Sequence, residues 1–246
     1  MKKIVTISVL ALAMTSGVAS ANAIRAGAAV EFNNDSQTLG ALKGGYEFDT
    51  EVGKFGFDVE GKTRLGGKEY SEAQQNKSLH EGTIGIDYTY AFGNAYVQPR
   101  VEYTQNNINQ TNTSKAGLKA GYNFDNGVFT AARYRYDSTK NDNAITNANF
   151  GDINTNRADI TLGWKGDMFG ASVNYVYQDI KSDKVAPGNV SDRKRNNSLE
   201  YKVFLTNLNN YEPYIQYSDK NLDSTNYDGT KAKADHQVKL GVNMKF

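Results

Sequence analysis

Apolar and polar residues alternate along most of this chain with a period of two. In the stretch 236–246, every second position from Val238 to Phe246 is apolar, and each position between is polar or glycine. Successive side chains of a strand point to opposite faces, so this period predicts a strand with one apolar and one polar wall. The same reading predicts strands over 24–32, 39–48, 54–64, 79–92, 95–104, 115–124, 128–137, 157–165, 168–179, 197–206 and 211–220. In the fourth of these, Ile84, Ile86, Tyr88, Tyr90 and Phe92 form one row. In the eighth, Ile160, Leu162 and Trp164 alternate with Arg157, Asp159, Thr161 and Lys165.

The links alternate too. Gly93-Asn94, Asp125-Asn126-Gly127 and Gly166-Asp167 are tight turns, whereas 105–114, 138–156, 180–196 and 221–234 are longer polar loops. About twelve strands, with short links at one end and long ones at the other, predict an all-β fold: a transmembrane antiparallel up-and-down β-barrel. A soluble β-sandwich is the competing all-β architecture. Pro99 and Pro213 fall inside predicted strands, although a closed barrel has no edge strand to hold them. They are expected near a rim or at a bulge.

Composition fits the barrel. The chain has 16 Tyr, 11 Phe and 23 Gly but only 3 Pro, and its mean hydropathy is well below zero. Half of each strand facing lipid and half facing water accounts for that mixture. The start, Met1-Lys2-Lys3, a mostly apolar run from Ile4 to Met14, and Ala21-Asn22-Ala23 read as a secretory signal peptide over 1–23. The barrel then occupies 24–246. The apolar run is too short to span a bilayer as a helix. These signals predict the outer membrane of a Gram-negative bacterium, with its lipid and lipopolysaccharide as surroundings. Without cysteine, a secreted chain needs another source of cohesion, and a closed ladder of backbone hydrogen bonds supplies one. Loss of Lys2 and Lys3 from 28 basic residues against 27 acidic ones leaves the chain near neutral, so net charge argues neither for nor against nucleic acid; as a membrane barrel the chain is expected to have no nucleic-acid partner.

Several segments resemble the oligogalacturonate-specific porin family (the KdgM/NanC family). They are Tyr122-Asn123-Phe124-Asp125-Asn126-Gly127, Ala132-Arg133-Tyr134-Arg135-Tyr136, Asn156-Arg157-Ala158-Asp159 leading to Leu162-Gly163-Trp164, and Asn174-Tyr175-Val176-Tyr177-Gln178-Asp179. Glu212-Pro213-Tyr214 and the terminal strand agree in order and spacing, while 24–77 shows barrel patterning only. The resemblance implies a monomeric twelve-stranded channel that passes acidic oligosaccharides or sugar acids along a basic lumen. It also implies that Arg133, Arg135 and Arg157 occupy motif positions.

The strand reading extends this to the inner wall. By alternation about sixteen basic side chains face inward against about eleven acidic ones. Pairing strands across their turns puts Arg100, Lys119 and Arg133 at similar height, with Arg135 one pleat above, and this cluster with Arg157 is the candidate substrate path. Asp87, Asp159 and Glu102 are the expected partners of Arg100, Arg135 and Lys119 if the charges form structural ladders instead. Tyr214 and Phe204, if inward, offer faces to sugar rings. Arg193, Lys194 and Arg195 are placed in a loop, either solvated or in reach of anions and lipopolysaccharide phosphates.

Other functions find less support. His80 and His236 are the only histidines, and neither lies in a Ser- or Asp-containing motif that acyl hydrolysis needs. No Cys–His set, phosphate-binding glycine loop or calcium-loop pattern occurs, so no catalytic residue, metal or cofactor is expected. An adhesive barrel calls for long apolar or repetitive loops, and these are modest and polar. A general small-solute porin stays open beside the acidic-sugar channel.

Overall fold

A computed structural model of the protein describes residues 23–34, 37–66, 79–142 and 151–246. The predicted signal peptide, apart from Ala23, lies outside the described residues, as do parts of three predicted loops. The strands are β1 (Ala23–Asn33), β2 (Thr38–Thr50), β3 (Gly53–Gly66), β4 (Leu79–Phe92), β5 (Ala95–Asn106), β6 (Thr111–Asn123), β7 (Val128–Asn141), β8 (Ile153–Lys165), β9 (Phe169–Ser182), β10 (Arg193–Leu205), β11 (Tyr211–Asp219) and β12 (His236–Lys245). Each pairs antiparallel with its neighbours in sequence, and β1 pairs with β12, so the sheet closes into a barrel. At the seam Ile24 and Phe246 exchange both backbone hydrogen bonds, each 2.9 Å.

The predicted strand centres and faces hold, but the strands run further at the long-loop end. β6 starts at Thr111, β8 at Ile153 and β10 at Arg193, and β7 continues to Asn141. Apart from Ile153 these extensions are polar on both faces, so they carry no alternation to read. Backbone pairing does not need alternation, and hydroxyl pairs across the strands add to it, as Thr113 and Thr139 do at 2.9 Å. One consequence corrects the loop assignment of Arg193, Lys194 and Arg195, which are the first three residues of β10.

The outer wall carries the apolar rows, with Leu42, Val101, Leu118, Ile160 and Leu162 all more than half exposed. Aromatic rings cluster where this wall meets the short turns, as in the pairs Phe48–Phe55, Tyr122–Phe124 and Trp164–Phe169, 4.9, 4.7 and 5.4 Å between centroids. Towards the long loops the outward tyrosines donate to asparagine: Tyr103 to Asn112 at 3.0 Å, Tyr134 to Asn156 at 2.7 Å and Tyr136 to Asn154 at 2.8 Å. These bonds mark the height at which the outer wall turns polar, where amphipathic rings settle at a membrane interface.

Pro213 lies near a rim as expected, where the β10–β11 ladder ends at Phe204–Tyr214. Pro99 does not. It sits within β5, and the β4–β5 ladder is interrupted between the pairs Asp87–Arg100 and Tyr90–Val97. The Gln98 amide bridges this gap by donating to Asp87 Oδ1 at 2.9 Å and to Thr89 Oγ1 at 3.0 Å.

A charge on the outer wall tests the membrane assignment. Leu118→Arg, within the lipid-facing row of β6, is expected to lower stability by about 2–4 kcal/mol, measured by urea unfolding in lipid vesicles.

Candidate permeation pathway

The inner wall is built from the positions between the apolar rows, and register decides which of them meet. Gln98, Lys119, Arg133 and Asp159 lie side by side on β5 to β8. One pleat nearer the long loops, Arg100, Gly117, Arg135 and Arg157 form the next row. Arg100 is therefore level with Arg135 and Arg157, and not with Lys119 and Arg133 as turn counting predicts. The difference arises because β5 and β6 stay paired up to Asn106–Thr111 and leave a loop of only 107–110. A two-residue slip preserves the face of every side chain and changes only its height.

Arg100 is enclosed by carboxylates. Its Nη1 lies 2.8 Å from both Asp58 Oδ1 and Asp87 Oδ2, and its Nη2 is 2.9 Å from Glu102 Oε1. Gly85 makes room for this guanidinium, since a Cβ there would run into Arg100 Nη2. Arg100 is thus neutralised in place, and Asp58, three carboxylates' worth of enclosure with Asp87 and Glu102, was not among its expected partners.

The arginines of β7 and β8 are less fully matched. Asp159 is shared, accepting from Arg133 Nε at 2.7 Å and pairing with Arg157 Nη2 at 2.7 Å. Arg135 makes two parallel bonds to Asp137, both 2.7 Å, and reaches Glu102 at 3.7 Å. So Asp159 holds Arg133 and Arg157 rather than Arg135, and Glu102 serves Arg100 and Arg135 rather than Lys119. Among the described residues, no carboxylate lies within ion-pair distance of Lys115, Lys119 or Lys165. The Lys119 ammonium sits 5.6 Å from the centre of the Tyr96 ring.

Across the lumen acids are shared in the same way, but there acids and bases are closer in number. Glu31 is held by Lys239 at 2.9 Å and Lys62 at 3.7 Å. Glu47 meets Arg25 and, at 3.0 Å, Lys245. Lys43 reaches Asp58 at 3.4 Å. The unmatched positive charge is therefore concentrated on β6 to β8. At the short-turn end, a cavity of about 420 Å³ is lined by Arg25, Lys43, Lys165, Lys245 and Glu212 beside Asn209 and Asn210.

The long-loop end is shaped by the segment 220–235. β11 is short, so the start of β10 lacks a strand partner there, and this segment supplies one. Leu222 donates to Asn197 O at 3.0 Å and Thr225 to Arg195 O at 2.9 Å, while Val190 and Ser191 donate to Tyr227 O, both 3.1 Å. Burial, together with Asp192 nearby, pushes the Tyr227 phenol above its ordinary pKa, and Lys194 lies 5.2 Å from the ring centre. Loop-to-strand pairing of this kind has no periodic signal in the sequence.

Residues 18–246 match the family model described as oligogalacturonate-specific porin protein (KdgM). No curated protein matches the sequence. Among solved structures, the chain is similar to the NanC porin, with a TM-score of 0.62 and 13% identity over 90% of this chain and 100% of that one. It is similar to the KdgM porin, with a TM-score of 0.59 and 11% identity over 90% and 99%. A COG4313 outer membrane channel from Pseudomonas putida F1 gives a TM-score of 0.66 and 10% identity over 94% and 97%. At these identities the structural likeness is one of fold.

The ion-pair geometry separates structural from unpaired cations. Arg100→Ala is expected to cost about 3–5 kcal/mol, because it leaves buried Asp87 without a cation and takes one from Asp58 and Glu102. Lys119→Ala, which breaks no ion pair, is expected to stay within about 0.5 kcal/mol of the parent. Urea unfolding of both variants in vesicles checks the contrast.

Proposed function

Since the chain belongs to the oligogalacturonate-specific porin family, an outer-membrane porin family and not an enzyme family, we propose that it is a passive channel for acidic oligosaccharides or sugar acids, guided by the cations of β6 to β8. The observation that carries this reading is the sharing of Asp159 by Arg133 and Arg157, with Lys119 between Gln98 and Arg133 and no carboxylate beside it. A surplus of positive charge in a narrow lumen raises the local concentration of anions. Arginine forks also take a carboxylate in two parallel hydrogen bonds.

In this mechanism a substrate carboxylate joins the wall carboxylate that the cations already share. Arg133 and Arg157 meet a passing uronate without losing Asp159, because one acid already serves both. Each contact is weak, and release to the next cation follows, as conduction requires. Arg135 forms the neighbouring step and Lys119 the one below. Arg100, surrounded by Asp58, Asp87 and Glu102, supports the wall instead of the solute. Residues 1–23 act as the signal peptide that directs the chain to the membrane, and the barrel works as a monomer in lipid and lipopolysaccharide. A general small-solute porin is the second reading, favoured by the near balance of charge on the wall made by β1, β2, β11 and β12.

Planar-bilayer recording tests the proposal. The protein is expected to form open, mildly anion-selective channels that galacturonate oligomers block transiently. Cation preference without such block rules it out, and equal passage of neutral oligosaccharides of the same length supports the second reading. Arg133→Glu with Arg135→Glu is expected to lower or reverse the anion preference, and Asp159→Asn to raise it, both read as shifts in reversal potential.

A further inference from the structure

Four aromatic side chains point into the lumen among the described strand residues: Tyr96, Phe129, Phe204 and Tyr214. All lie in the half nearer the short turns, and each packs against a glycine of the adjacent strand, at Gly121, Gly163, Gly170 and Gly241 respectively. In all four a Cβ on the glycine would come within 2.5 Å of the ring's Cζ, and Tyr96 and Tyr214 share a further feature. Lys119 stands two residues before Gly121, and Lys239 two residues before Gly241, on the same wall face. An ammonium lies over each ring, Lys119 at 5.6 Å from the Tyr96 centroid and Lys202 at 4.5 Å from that of Tyr214.

Position in the ring makes this repetition meaningful. In the closed order of twelve strands, β5 and β6 stand six places from β11 and β12. The two Tyr–Gly–Lys units therefore face each other across the lumen. Phe204 is a poor candidate for the same role, being only 7% exposed.

We propose that Tyr96 with Lys119, and Tyr214 with Lys202, form two opposed sugar-stacking subsites near the periplasmic exit. The inference rests on the acidic-sugar reading above and assigns part of the recognition to different chemistry. A ring packed on a glycine lies along the wall, and the apolar C–H face of a pyranose packs on such a surface. The ammonium now over the ring swings from it to the sugar carboxylate and leaves that face to the pyranose. Lys119 has no competing carboxylate, and Lys202 exchanges Glu212, now 3.0 Å away, for the substrate. A simple inorganic anion gains only the second of these contacts, so the subsites favour uronate sugars over anions of equal charge.

The test is single-channel recording with trigalacturonate, using the full barrel in planar bilayers and heat-modifiable gel mobility as the check on folding. Tyr96→Leu with Tyr214→Leu fills the space over both glycines but removes the flat faces. The double variant is expected to shorten blockades by roughly fivefold, with the chloride-over-potassium reversal potential unchanged because no charge is lost. Tyr96→Phe with Tyr214→Phe, which keeps both rings, is expected to retain the parent's blockade times. Unchanged blockades in a folded leucine variant overturn the subsites and leave the rings as wall filling. Shortened blockades in the phenylalanine variant overturn stacking in favour of the hydroxyls. A parent protein that trigalacturonate never blocks overturns the acidic-sugar reading itself, and the subsites with it.

Discussion

Hydrocarbon offers no partner to a backbone N–H or C=O, and each such group left unpaired there costs several kcal/mol. That constraint shapes everything else in this molecule. It is met only if the sheet has no free edge, so the first strand must return to the last. The reciprocal Ile24–Phe246 bonds complete the seam where the two chain ends of the barrel meet. Where one ladder fails, at Pro99, a side-chain amide from Gln98 spans the gap from the lumen side. Where a strand is too short, at β11, the segment 220–235 continues the wall beside β10.

Closure forces the polar faces of twelve strands into one narrow space, and the lumen is organised by how the charges there share that space. Glycines at inward positions are part of the solution. Gly85 receives the Arg100 guanidinium, the stem of Arg135 lies over Gly117 with its Cγ 3.1 Å from the position of a Cβ, and four aromatic rings lie on four more. Large side chains are laid along the wall instead of across the bore. Carboxylates then divide unequally among the cations. Arg100 has three, Arg133 and Arg157 share one, and Lys119 has none. A cation already satisfied by fixed acids contributes to cohesion, whereas a poorly matched one retains attraction for a mobile anion. Under the proposed function, that division, more than the number of basic residues, is what separates wall from pathway.

The two-residue period alone determines the strand number, which side chains face lipid, and which face the lumen. It does so because a slip of one residue would turn every apolar row inward, and lipid permits no such arrangement. Arg133, Arg135 and Arg157 on the inner face, and Ile160, Leu162 and Trp164 on the outer, follow directly. Tertiary structure decides what the period cannot see. A slip of two residues leaves every face unchanged, so the height of Arg100 against Lys119 depends on how far the polar ends of β5 and β6 stay paired. Ion pairs between strands that are not neighbours, such as Asp58 on β3 with Arg100 on β5, depend on the curvature of the closed wall. The opposition of Tyr96 and Tyr214 depends on closure itself, because only a ring of twelve strands makes residues six strands apart into neighbours across a pore.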